Sequence, residues 1–142
     1  MNFGETLCIL FNFGKPAWRP GWINSNWRVE VRDFGHGPEL RRVGPGEVNL
    51  PWGPTEADML AEDWESEPTA VPPYVTEGSF GWAVEQARSG VEIEFGMVRM
   101  TLESVDIGES LPYFLATFPN GKCGIFRPQL QDLLRPDWRV VE

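Results

Sequence analysis

The chain is poor in the residues that most chemistry needs. It has one histidine, His36, and two cysteines, Cys8 and Cys123, in 142 residues. No Cys/His spacing suits zinc, and no glycine-rich phosphate loop follows a strand-like segment. His36 stands alone between two glycines, where a solvated residue is the ordinary outcome and a general base the exception. The two thiols, far apart and without partner ligands, suit a reducing cytosol and are expected to be buried. No apolar run is long enough for a membrane span, and the N-terminal stretch lacks the basic flank of a signal peptide. Positive charge is also scarce: 12 basic against 21 acidic residues leave a formal charge of −9. A protein that neutralises DNA or RNA phosphates needs a broad basic footprint, so that class is excluded. Neither a metal nor a cofactor is expected.

The acids are concentrated. Residues 1–50 carry six basic and five acidic groups, residues 51–77 none and seven, and residues 78–142 six and nine. A small anion in a local pocket remains compatible with these numbers, because a few arginines or backbone N–H groups can hold one. Glu92 and Glu94 alternate along a strand-like segment and face one side. Paired carboxylates can do acid–base work, but a solvated strand face is the simpler reading. No catalytic constellation emerges, and the chain is not expected to be an enzyme.

What the chain has in abundance is aromatic rings and repetition. "PTEADMLAEDW" (residues 54–64) returns as "PQLQDLLRPDW" (residues 128–138) with Pro, Asp, Leu, Asp and Trp in one register. Phe3, Leu7 and Leu10 share the i, i+4, i+7 spacing of Phe80, Val84 and Ala87, which lays each set along one helix face. Asn2 with Glu5 forms a capping-box pattern, Ser79 can cap the second helix, and Gly14 and Gly90 sit where helices stop. Trp27, Val29 and Val31 alternate with charged residues as a half-buried strand requires, and Val98, Met100 and Leu102 do the same. "ELRRVGPGEVNLPW" and "LPYFLATFPNGKCGIF" each read as a hairpin. Thr55 with Asp58 caps a further short helix. The chain therefore reads as two copies of one α+β unit, residues 1–66 and 78–142, each with an N-terminal helix, an antiparallel sheet and a short second helix. A proline-rich acidic linker, residues 67–77, joins them. Units this small bury little surface alone, so the copies are expected to pack together.

Five of the seven tryptophans fall in the first unit. Trp27, Trp64 and Trp138 read as core. Trp22 in "RPGWIN" and Trp52 in "LPWGP" are bracketed by Gly and Pro, so their rings either pack or stand at a pocket rim. A flat ring near Arg19 and Asn24 is one way to stack a purine and hold phosphate or ribose.

"FGE" opening a helix, "GK" ending it, then "RPGWIN" and "PW…DMLAEDW", resemble the phage family of the second Thoeris anti-defense protein. The likeness runs from Phe3 to Trp64; the second unit matches more weakly through "FGW", "LPYFLATFPNGK" and "DLLRPDW". What the resemblance implies is a sponge. Such proteins hold cyclic ADP-ribose isomers, among them gcADPR, that bacterial TIR-domain proteins make as alarm signals, and do not cleave them. Some hold cyclic dinucleotides of CBASS defence. The family's small α+β units assemble into dimers and tetramers with pockets where units meet, in the cytoplasm of the infected host. The implied pocket aromatics are Phe3, Trp22 and Trp52, with Asn24 and Asp58 on ribose hydroxyls; Arg19 is added for phosphate on charge grounds. Phe80, Phe126 and Asp132 are the positions kept in the second unit, which lacks "RPGW". Counted from Gly14 and Gly90, Arg19 aligns with Phe95, Trp22 with Val98, and Trp52 with Phe126. Two fused chains could rebuild a four-unit assembly as a homodimer. A nucleotide-cleaving enzyme and a protein-binding inhibitor of an immune enzyme are the competing classes.

Overall fold

The computed structural model describes residues 1–22, 27–33, 35, 37–47, 49–107 and 109–142; the side chains of residues 47, 104–107 and 109–111 are outside that description. Asn24 and His36 therefore lie outside the described residues.

The first helix, α1 (Phe3–Phe11), starts where the sequence places it. The Asn2 carboxamide accepts from the Glu5 N–H at 2.8 Å and the Glu5 carboxylate accepts from the Asn2 N–H at 3.0 Å, which satisfies two N–H groups that a helix start leaves free. Phe3, Leu7 and Leu10 are buried as expected, but so are Thr6, Cys8 and Ile9. α1 is thus covered on nearly every side. Past its end Gly14 has φ 63°, a left-handed conformation that lets the chain turn away. There follow β1 (Ala17–Trp18), β2 (Arg28–Asp33), β3 (Pro38–Val43), a single 3-10 turn (Pro45–Glu47), β4 (Asn49–Pro51), α2 (Glu56–Leu60) and β5 (Glu65–Ser66). The strands form an antiparallel sheet in the order β4-β3-β2-β1-β5.

The second half repeats this plan. α3 (Phe80–Arg88) is capped by the Ser79 hydroxyl, and β6 (Ile93–Phe95), β7 (Val98–Ile107), β8 (Glu109–Thr117), β9 (Cys123–Ile125), α4 (Leu130–Leu134) and β10 (Arg139–Val140) follow. Their sheet runs β9-β8-β7-β6-β10, the same order strand for strand. The registers agree as well. Arg41 faces Pro51 in the first sheet and Leu115 faces Ile125 in the second, each pair shifted by 74 positions (115 − 41 and 125 − 51). Both long hairpins anticipated in the sequence are present, and the fold is α+β. The β1–β2 connection breaks the parallel. Residues 19–27 span it in the first unit, whereas only Gly96 and Met97 separate β6 from β7. Arg28 faces Val43 and Arg99 faces Thr117, so strand register equates Arg28 with Arg99. The expected match of Trp22 with Val98 is thereby corrected: Trp22 belongs to a loop that the second unit lacks.

The units meet through their first helices. A Cβ built on Gly81 would stand 2.2 Å from the Gly4 Cα, so only glycine allows the backbones to come this close. Phe3 and Phe80 meet edge to face at 6.3 Å. Equivalent residues touching each other is the signature of a local two-fold axis. One continuous apolar core results, joining Phe3, Leu10, Val29 and Trp64 to Phe80, Met100, Phe114 and Trp138. The segment expected to be a linker has no regular structure, yet Tyr74 packs edge-on to Phe13 at 6.3 Å. Cys8 is buried as expected; Cys123 is not, because it lies on the short edge strand β9 and is exposed. Among the described residues no helix is long and apolar enough to cross a membrane.

Candidate functional site

Trp64 organises the first unit's aromatic residues. Its indole N–H donates to the Asp58 carbonyl at 2.9 Å, which fixes the ring below α2. Around it stand Phe3 at 6.1 Å, Trp22 at 5.5 Å and Trp52 at 6.1 Å between ring centres, the two tryptophans edge-on. Edge-to-face contact sets the positive ring edge against a negative face and fixes orientation as well as area. Three of the aromatic positions implied by resemblance are therefore gathered around a fourth ring, whose own role is packing. Their exposure differs sharply. Phe3 is fully buried, while Trp22 and Trp52 are half-buried.

The polar candidates are occupied by the fold. One Asp58 carboxylate oxygen accepts from the Thr55 N–H at 3.0 Å, closing the capping box of α2, and the other accepts from the Arg19 guanidinium at 3.1 Å. Arg19 also donates to Asp63 at 3.2 Å. Two carboxylates already answer its charge, so Arg19 locks its loop to α2 in place of the expected free phosphate contact. The nearby basic residues do not substitute for it: Arg28 lies over the Trp18 ring at 6.0 Å and Arg32 pairs with Glu30 at 2.9 Å.

In the second unit Phe80 is fully buried and Phe126 is 7% exposed. Trp138 repeats the role of Trp64, its indole N–H donating to the Asp132 carbonyl at 3.3 Å. The Asp132 carboxylate accepts from the Gln129 N–H at 2.8 Å, the counterpart of the Asp58 cap. Phe95 lies 4.4 Å from Trp138, and the Arg135 guanidinium covers its face at 4.4 Å. The second cluster is closed over by its own side chains. Phe3 and Phe80, expected at pocket walls, are both fully buried and meet at the junction between units, beside the glycine crossing.

Of the expected residues, Phe80 lines a recess of about 270 Å3 with Gly4, Gly81 and Arg135, and Trp52 lines a cleft on the other side of the junction, between the units. This cleft, of about 400 Å3, has Arg41, Trp52 and Gly53 on one wall and Gln129, Leu130 and Leu133 on the other. Trp52 is held there because its N–H extends the sheet, donating to the Leu40 carbonyl at 3.1 Å, before Gly53 and Pro54 turn the chain into α2. Arg41 escaped sequence analysis. It sits in an ordinary alternating strand, and its approach to Trp52 arises only from the β3–β4 pairing. Its Nε donates to the Asn49 side chain at 2.7 Å, a terminal nitrogen donates to the Asn49 carbonyl at 3.1 Å and the other lies 3.6 Å from the Glu39 carboxylate, which together orient the guanidinium.

The sequence-proposed carboxylate pair is a structural one: Glu94 bonds Arg139 at 2.8 Å and lies 3.8 Å from Arg99, with Glu92 at 3.9 Å from the same arginine. Among the described residues no three His, Cys, Asp or Glu side chains group as a metal site would require.

Fold and cleft together describe a two-unit α+β protein with an aromatic and guanidinium-lined recess at the junction of its halves. Residues 1–66 match the model of the Thoeris anti-defense 2-like domain, so the first unit is similar to that family. That family implies a Thoeris anti-defense role. No curated protein and no solved structure matches the chain.

Proposed function

We propose that this protein is a sponge: it binds a cyclic nucleotide immune signal, a cyclic ADP-ribose isomer, between its two units and holds it intact in the host cytoplasm. The observation that carries this reading is Trp52, a half-buried ring presented in a junctional cleft by the unit similar to a family that opposes Thoeris. The cleft's volume of about 400 Å3 suits a small-molecule site, a class that runs from about 300 to 1,000 Å3. Stacking on one indole supplies roughly 1–3 kcal/mol. A nanomolar sponge needs about 12 kcal/mol, so charge-assisted hydrogen bonds and exclusion of water must contribute most of it. In this reading the protein acts by mass action without turnover. Pairing of two chains into a four-unit assembly belongs to the same reading and is measured by light scattering.

The test is direct. Protein is incubated with gcADPR, freed of unbound ligand, denatured, and the supernatant analysed. Intact nucleotide released in proportion to protein supports sequestration. Product in excess of protein means an enzyme, and no uptake means a different anti-defense mechanism. Trp52→Ala is expected to weaken binding about 5- to 150-fold, the equivalent of the 1–3 kcal/mol lost with one stacking ring.

A further inference from the structure

A local two-fold axis gives every feature at the junction a counterpart. Applying the 74-residue shift to the open cleft turns Arg41, Trp52 and Gly53 into Leu115, Phe126 and Arg127, and Leu130 into Glu56. The counterpart surface is therefore specified, and its chemistry differs at every one of these positions. Where the open cleft has glycine facing leucine across the gap, the counterpart has arginine facing glutamate. The Arg127 guanidinium nitrogen lies 3.2 Å from both carboxylate oxygens of Glu56. The ring position is altered as well: Phe126 is 7% exposed, where Trp52 is half-buried and presented. Leu115 takes the place of the Arg41 guanidinium on the sheet wall.

We infer that the Arg127–Glu56 ion pair closes a second, symmetry-related nucleotide cleft, so that one chain offers one site for a cyclic nucleotide. The closure is a matter of occupied volume. An ion pair with one partner largely in water contributes little to stability, but an arginine side chain fills a gap that glycine leaves empty. Duplication of a unit generates two clefts; substitution at four positions keeps one.

The number of sites rests on the nucleotide reading above, whereas the closure does not, and the experiment separates them. 4-Fluorophenylalanine is placed at position 126 and its 19F signal compared in H2O and D2O, with no ligand present. In the parent protein the signal is expected to be insensitive to solvent. In the Glu56→Leu, Arg127→Gly double variant, which copies the open cleft, and in Arg127→Ser alone, which leaves α2 untouched, a solvent isotope shift is expected. A signal equally insensitive in all three overturns the closure. Calorimetry with gcADPR is the second arm. One equivalent bound per parent chain, rising above one in the double variant, supports the inference. Two equivalents bound by the parent chain overturn it. A parent chain that binds no gcADPR removes the nucleotide reading, and the fluorine signal then decides the closure by itself.

Discussion

Trp64 and Trp138 each donate an indole N–H to the carbonyl six positions earlier, at 2.9 and 3.3 Å, and each is 2% exposed. Trp64→Phe keeps most of the apolar contact but removes the bond and orphans a buried carbonyl, so a loss of about 1–3 kcal/mol is expected. Trp64→Ala also opens a cavity and is expected to cost about 3–5 kcal/mol. Urea midpoints read both, and equal midpoints for the parent and the phenylalanine variant would remove the hydrogen bond from the account. A titrating residue at the surface behaves differently. The Arg135 side chain donates to Asp137 at 2.8 and 2.7 Å and, with its charge, holds that carboxyl below its ordinary 3.8. A depressed folded value means stabilisation present above the unfolded value and lost as pH falls through the folded one. Asp137→Asn is accordingly expected to flatten the stability profile slightly below about pH 4, which denaturation at pH 5 and pH 3 would show. Because the pair is exposed, a large change there would contradict its surface assignment.

At the scale of elements, α1 and α3 cross on glycine. Gly81→Ala places a methyl 2.2 Å from the Gly4 Cα, so the helices must separate and core contacts from Phe3 and Phe80 are lost together. Overpacking of this kind costs about 1–3 kcal/mol or more. Gly53→Ala, at a position with open space and an ordinary φ, is the matched control and is expected to change stability little. Thermal unfolding of the two variants separates helix crossing from a general effect of adding methyl groups. The helices themselves were legible in the sequence, since both their faces and their caps are local: Asn2 reaches Glu5, Thr55 reaches Asp58. The hairpins were legible through alternation and turn residues. The two-residue strands β1, β5 and β10 were not, because two residues are too few for a period-2 pattern to register.

At the scale of the whole molecule, the first unit depends on the second. Residues 1–66 alone would expose the Gly4 face of α1 and the side of Phe3 that meets Phe80. Expressed by itself this segment is expected to self-associate or remain largely unfolded, as a chain of its size with an uncovered apolar face does. Size-exclusion chromatography with far-ultraviolet circular dichroism checks this, and a well-folded monomer would contradict the shared core. The cleft has the same dependence, since Arg41 and Trp52 meet a wall that begins at Pro128.

The sequence by itself determined what is local and what is periodic: helix caps, alternating strands, and the phrase that recurs near the end of each half. It also set the family likeness of the first unit, because ordered blocks of residues survive as a pattern whatever they touch. Only the tertiary structure decided which charges are available and where the two units leave space. Arg19 meets Asp58 and Asp63 across 39 and 44 positions, and Arg127 meets Glu56 across 71. Contacts that distant leave no spacing to read, since they depend on how sheets and helices pack. The bonding of a charged side chain is set by its neighbours in space, and those were assigned when the glycine-crossed helices brought two halves onto one core.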